Sequence, residues 1–232
     1  YENIWPLALR GLGDTPFWTN DPFAPKDSAA RAELTSRAVT DQLQLLKSEL
    51  GPEAKPLTSW TMYNEVLDLY QTGKLKVPDE VMLIWPDDNH GHLRRLPGPQ
   101  ERQRSGGNGV YYHLTFCDNQ WVQWIPLEMI RDEFKAVVES GATDYVLHNV
   151  GDLREIPLSV AAGMDLAWDA TPWLVDRQTP GRYLRQWTAY HFGDDACRQV
   201  ALLYRRFYDL ERQAFSQPTL TRAWQQLDSL VQ

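Results

Sequence analysis

The stretch Val81-Met82-Leu83-Ile84-Trp85-Pro86-Asp87-Asp88-Asn89-His90-Gly91 decides the fold. Its first five residues are apolar without interruption, which suits a buried strand, and Pro78-Asp79 introduces them. Its second half supplies two aspartates, an asparagine and a histidine just past the strand. A strand that delivers polar groups from its C-terminal end is what an α/β fold with a ligand site at that edge requires.

The same alternation extends in both directions. Upstream, residues 4–10 form a short apolar run, and a Gly/Pro/Asn/Asp-rich loop follows. Residues 29–50 have helical spacing, with Leu34, Val39, Leu43, Leu45 and Leu46 largely on one side, and Gly51-Pro52 ends them. Residues 57–62 suit a strand, and 64–71 a short helix with Val66, Leu67 and Tyr70 inward. Downstream, a long polar segment, with a helical turn expected at His92-Leu93-Arg94, leads to a strand over 110–116. Pro126 opens a helix to residue 140, 145–150 form a further strand, and 159–168 a helix. After Thr171-Pro172 only amphipathic helices are expected, over 181–192, 194–215 and 219–231.

Strands alternating with helices predict parallel βαβ units. A closed (β/α)8 TIM-type barrel needs eight strands and roughly 250 residues. The expected architecture is therefore α/β, a partial barrel of about five strands over residues 1–176, followed by an all-α segment over 177–232. An open doubly wound sheet is the alternative.

Composition excludes several functions. The chain has 232 residues, 43% hydrophobic and 23% charged, with a net charge of −8. No apolar run reaches a membrane span of about 18 residues, so no membrane partner is expected. The acidic balance offers no drive toward phosphate backbones, so no nucleic-acid partner is expected either. The first residues carry no signal-peptide pattern. Cys117 and Cys197 cannot form a zinc site by themselves and read as core thiols. Ten tryptophans and ten tyrosines fill cores first, and their flat faces also stack on sugars.

Every predicted strand leads to polar residues. The first leads to Arg10-Gly11-Leu12-Gly13-Asp14, the second to Tyr63-Asn64-Glu65, the third to Asp87-Asp88-Asn89. The fourth carries Tyr111-Tyr112-His113, and the fifth leads to Asn149-Val150-Gly151-Asp152. Asp14 and Glu65 follow neighbouring strands, and two carboxyls flanking a bond suit acid–base cleavage of a glycoside. A turn cap and a first-turn helical acid are the structural alternatives for the same residues. The cluster Asp87 to His92 has metal-ligand types, but adjacent residues rarely point at one ion, and no metal is expected. Arg94, Arg95 and Arg104 could fork a carboxylate, though solvated surface charge accounts for at least two of them. Gly106-Gly107-Asn108-Gly109 precedes a strand rather than a helix, so it reads as a flexible approach and not a phosphate loop.

Taken in order, Arg10-Gly11-x-Gly13-Asp14, Tyr63-x-Glu65-Val66, Trp85-x-Asp87-Asp88-Asn89-x-Gly91, Gly106-Gly107-x-Gly109-Val110-Tyr111-Tyr112-His113 and Asn149-Val150-Gly151-Asp152-Leu153 resemble glycoside hydrolase family 115, the xylan α-1,2-glucuronidases. Ala167-Trp168-Asp169 and the stretch from Trp187 to Gly193 fit the same pattern. The resemblance implies a large multidomain protein with a central (β/α) barrel and a following helical domain. It implies removal of glucuronic acid, or its 4-O-methyl form, from xylose units of glucuronoxylan, with inversion and without a cofactor. Carried over by motif, Glu65 matches the general acid and Asp14 the base. Asn89 matches a further active-site polar position, and Arg10, Tyr63, Asp87, Asp88, His113 and Asn149 match contacts to the uronate or to the catalytic groups. A xylan-degrading role implies an extracellular or periplasmic address.

Two departures stand out. Family sequences usually carry a polar or acidic residue where Leu12 stands, and a longer stretch where Leu114-Thr115-Phe116-Cys117-Asp118-Asn119-Gln120 follows His113. They motivate an alternative, a non-catalytic carbohydrate-binding or scaffolding protein. The family's N-terminal domain and early strands have no counterpart in this sequence. The missing N-terminal part is then an expected partner, and the 232 residues alone are expected to be inactive and poorly stable.

Overall fold

The computed structural model describes residues 3–51, 53–116 and 123–215. Cys117, the far end of the stretch after His113 and the helix expected over 219–231 lie outside the described residues.

Five strands form one sheet in chain order: β1 (Ile4–Pro6), β2 (Leu57–Thr61), β3 (Val81–Pro86), β4 (Asn108–His113) and β5 (Tyr145–Asn149). They run parallel as a half-barrel with helices between them, and an all-helical segment follows. The helices are α1 (Ser28–Leu50), α2 (Glu65–Gln71), α3 (Leu127–Ser140), α4 (Pro157–Trp168), α5 (Thr171–Val175) and α6 (Thr179–Phe215). The register pairs Trp5 with Thr58, Trp60 with Leu83, and Trp85 with Val110.

The chain divides into two compact units. The first holds residues 1–113 and 136–148. All six residues of β3 are buried in it, as the apolar run required. Helix α1 begins at Asp27, whose carboxylate accepts the Ala30 N–H at 2.9 Å, and ends at Gly51 with φ 97. Its buried stripe is Ala32, Thr35, Val39 and Leu43, whereas Leu45 is 62% exposed. The expected leucine face was thus partly wrong: at about 100° per residue, Leu45 lies well round the helix from Leu43.

The expected helical turn at His92-Leu93-Arg94 does not form. Asp87 and Leu93 make an antiparallel bridge, and the Asp88 N–H donates to the His92 carbonyl at 2.8 Å. Positive φ at Asn89 (71°) and Gly91 (81°) folds the loop back, and residues 92–94 run alongside Asp87 instead of forming a helical turn. A short 3-10 turn forms instead at Glu101–Gln103. The glycine run that leads into β4 is no flexible approach. A Cβ on Gly106 would stand 2.5 Å from the Glu80 carbonyl, and one on Gly109 2.6 Å from the Tyr145 carbonyl oxygen. Glycine is there because backbones meet.

The second unit holds residues 114–135 and 149–232. Ile125, Ile130, Ile156, Leu158, Ala162 and Trp173 supply much of its core. Gln123 ties it together, accepting from the Leu158 and Ser159 N–H groups and donating to the Tyr208 hydroxyl. Helix α6 breaks at Gly193 (φ 75, ψ 167), between the two helices that the sequence separates. No described helix is long and apolar enough to cross a membrane.

Candidate active site

Three described residues other than glycine have positive φ: Asp14 (59°), Asn64 (47°) and Asn89 (71°). Each follows a different one of the first three strands. Such backbone costs on the order of 1–3 kcal/mol per residue and concentrates where geometry is functional.

Arg10 is the centre of the first cluster. Its Nε donates to Glu65 Oε1 at 3.0 Å and one terminal nitrogen to Oε2 at 3.3 Å. The other terminal nitrogen pairs with the Asp14 carboxylate, and the Asp14 carbonyl also accepts at 3.0 Å. One guanidinium therefore joins both carboxyls that the sequence singles out. They differ in setting, since the Glu65 side chain is 12% exposed and that of Asp14 is 76% exposed. The Gly11 N–H closes the loop that carries Asp14 by donating to the Thr15 carbonyl at 2.7 Å.

Tyr63 links this cluster to the β3 loop. Its hydroxyl donates to Asn89 Oδ1 at 2.8 Å, and the Arg10 guanidinium lies over its ring at 5.4 Å. Burial pushes the phenol up, so it stays protonated and donating at neutral pH. Its ring neighbours are Tyr111 and His113, 5.9 and 6.2 Å away between centroids.

Asp87 approaches from within. Its side chain is fully buried and accepts from the N–H groups of Asn89, Gly91 and His113 and pairs with His113 Nδ1 at 2.5 Å. Two carboxylate oxygens thus bind both arms of the β3 loop to the end of β4. Asp88 points the other way: exposed, it accepts from the His90 and His92 N–H groups and shapes its own loop. Asn149 ends β5 and belongs to the second unit, where its carbonyl accepts from Leu114 and Thr115.

The other arginines have structural posts. Arg104 caps the carbonyls of Val77, Pro78 and Val81. Arg95 pairs with Glu101 at 2.6 Å and lies over the rings of Tyr70 and Trp85. Arg94 stands 3.6 Å from Asp68. Among the described residues, no three His, Cys, Asp or Glu side chains gather as a metal site.

The structure therefore brings Arg10, Asp14, Tyr63, Glu65, Asp87, Asn89 and His113 into one connected network. Sequence reasoning did not single out Asn64, whose signal was an asparagine immediately before a helix-opening glutamate, nor Tyr111 as a ring 4.5 Å from His113. Neither is a motif, and both depend on backbone direction.

The profile of glycosyl hydrolase family 115 matches residues 1–216. Among solved structures, the chain resembles BtGH115A, a family 115 4-O-methyl-α-glucuronidase with specificity for decorated arabinogalactans, at 28% identity and a TM-score of 0.79. That match covers 89% of this chain and 27% of the other, so the chain spans about a quarter of that protein. No curated protein matches.

Proposed function

The chain belongs to glycosyl hydrolase family 115, and from that premise we propose that its strand-end network removes glucuronic acid or 4-O-methylglucuronic acid side chains from glucuronoxylan with inversion. The observation that carries this reading is the Arg10 bridge between Asp14 and Glu65. Two carboxyls from successive strand ends, held by one guanidinium, are the parts that an acid–base cleavage needs. Water is the nucleophile, so the reaction calls for no cofactor.

In this reading Glu65, whose side chain is largely withdrawn from solvent, hands its proton to the glycosidic oxygen rather than to water. Asp14, open to solvent, activates the attacking water in the same reading. Arg10 orients both, and Tyr63 and Asn89 form a polar wall toward the sugar. Asp87 and His113 hold that wall in place. Residues 1–176 would carry the chemistry, and 177–232 a helical domain.

Glu65→Gln in the full-length protein separates the roles. An acid is needed most when the leaving group is poor. Release of uronate from oligosaccharides should fall about 10²–10⁴-fold, and release from a nitrophenyl uronide much less. Asp14→Asn should slow both substrates alike. An undiminished Glu65→Gln enzyme would take Glu65 out of the acid role. Affinity for uronate-bearing polysaccharide with no turnover at all would favour the binding-protein alternative.

A second polymer has specific support. The solved relative is described as acting on decorated arabinogalactans. Side-by-side assay of glucuronoxylan and uronate-bearing arabinogalactan decides the backbone, since the polymer beyond the uronate, and not the acid–base pair, distinguishes them.

A further inference from the structure

Residues 7–27 join β1 to α1. Strands β1 and β2 run parallel, so α1 carries the chain back to the start of β2. Both ends of the loop therefore lie at the C-terminal edge of the sheet, the edge that holds Arg10, Asp14 and Glu65. Among the described residues of the first unit, the two most exposed large apolar side chains are both on this loop, Leu12 at 88% and Phe23 at 93%. Phe23 lies nine positions after Asp14, a reach of at most about 32 Å that the turns between them shorten.

The loop is braced on both sides of Phe23. The Thr15 hydroxyl donates to the Leu12 carbonyl at 2.9 Å, and the Thr19 N–H to the Pro16 carbonyl at 2.9 Å. Asp21 accepts the Phe23 N–H on its carboxylate at 2.9 Å and the Ala24 N–H on its carbonyl at 3.2 Å. Arg31 of α1 lies over the Trp18 ring at 4.5 Å and donates to the Pro25 carbonyl at 2.8 Å. Phe17 meets Trp18 edge to face at 5.0 Å. Phe17 and Trp18 are half-buried and hold the loop, whereas Phe23 stands out in solvent. Thr19, Asn20, Asp21 and Pro22 beside it are exposed as well. The centre of a protein interface is depleted in charged residues. A ring face among hydroxyl, amide and carboxylate groups suits a sugar, which offers C–H groups on one face and hydroxyls around its rim.

We propose that the loop after β1 is the subsite for the polysaccharide main chain, with Phe23 as the ring on which one of its sugars stacks. This rests on the reading that the strand ends release uronate side chains. An enzyme that removes a side chain must pass the main chain just beyond the bond it breaks, and this loop continues directly from Asp14. Its braces fix the Phe23 backbone in advance, so little ordering is lost when the polymer binds. The contact is made to the main chain and leaves the acid–base pair untouched, so it acts on polymer affinity.

The test compares Phe23→Ala, Phe23→Leu and Phe23→Trp in the full-length protein, with glucuronoxylan, uronate-bearing arabinogalactan and a nitrophenyl uronide as substrates. The quantity read is kcat/KM on the preferred polymer divided by kcat/KM on the uronide, which has no main chain. Phe23→Ala should lower this ratio about tenfold, the weight of one aromatic contact, and the loss should lie in KM for the polymer. Phe23→Leu keeps an apolar group without a ring and should lose as much, while Phe23→Trp should keep the wild-type ratio. Melting temperatures should stay within about 1 °C of the wild type, as for an exposed side chain. An unchanged ratio in Phe23→Ala, or a wild-type ratio in Phe23→Leu, overturns the proposal. So does a melting temperature lowered by about 3 °C or more in Phe23→Ala, which would place the ring against another part of the protein. A wild-type protein that releases no uronate from any substrate removes the catalytic reading alone. Retardation of the wild type in gels containing the two polymers then decides the subsite. Retardation lost in Phe23→Ala and Phe23→Leu but kept in Phe23→Trp supports it, and any other pattern overturns it.

Discussion

Asp87 shows how a residue can be legible as polar and yet opaque in its use. Its neighbours in sequence are polar loop residues, and nothing in their order separates the two aspartates. In the fold, Asp87 is fully buried under four hydrogen bonds while Asp88 caps an exposed turn. The difference is the strand's period of two: adjacent side chains leave on opposite faces. Asp87→Asn would set an amide NH2, a donor, against backbone N–H groups that now donate to the carboxylate. Breaking a buried pair of this kind costs about 3 kcal/mol, so the urea midpoint should drop measurably, whereas Asp88→Asn should leave it nearly unchanged. The carboxyl cluster was legible in a different sense. Asp14 and Glu65 could be named from their places after strands, but their connection through Arg10 spans 55 residues of chain and depends on β1 and β2 pairing side by side.

At the scale of elements, the strands were read well where burial dictates composition. Strand β3 was recognisable because both of its faces are covered, and β2 and β5 were bounded to within a residue of their observed ends. Strand β1 was not. It stops at Pro6 and is exposed along its length, because among the described residues it is the edge of the sheet, paired with β2 alone, and beyond it the chain turns toward Arg10. The glycines at the start of β4 make the same point. Their spacing shows flexibility and no more, while contact with Glu80 and Tyr145 gives the reason for them. Gly106→Ala should therefore destabilise by about 1–3 kcal/mol through overpacking, more than Gly51→Ala, which meets open space and only the cost of its positive φ. Thermal melts of the two variants check the order.

Across the whole molecule, phenols that are wholly or partly buried make stability depend on pH. Tyr63 and Tyr70 in the first unit and Tyr183, Tyr204 and Tyr208 in the second are all pushed up, in each case mainly by burial. The native state holds these protons more tightly than the unfolded chain, whose phenols titrate near about pH 10. The contribution is complete below that value and is lost as pH rises through it. On the acid side, Asp79 is held down by the backbone and hydroxyl of Ser105, and Asp176 by the Gln178 N–H and Arg182. Their contribution is present above the ordinary carboxylate range near about pH 4 and fades as pH falls through and below it. Urea midpoints should thus be flat from roughly pH 6 to 9 and fall steeply toward 11. Tyr208→Phe should blunt the alkaline fall.

The sequence by itself determined the alternation of elements, the buried third strand, the edge at which polar groups collect and the family. Those follow from hydrophobic periodicity and from short motifs, which are local. Only the tertiary structure decided which of those polar groups meet. Asp87 became an internal brace, Arg10 a bridge between carboxyls and Asn64 a strained corner, because each outcome depends on backbone direction and on strands brought together from distant parts of the chain.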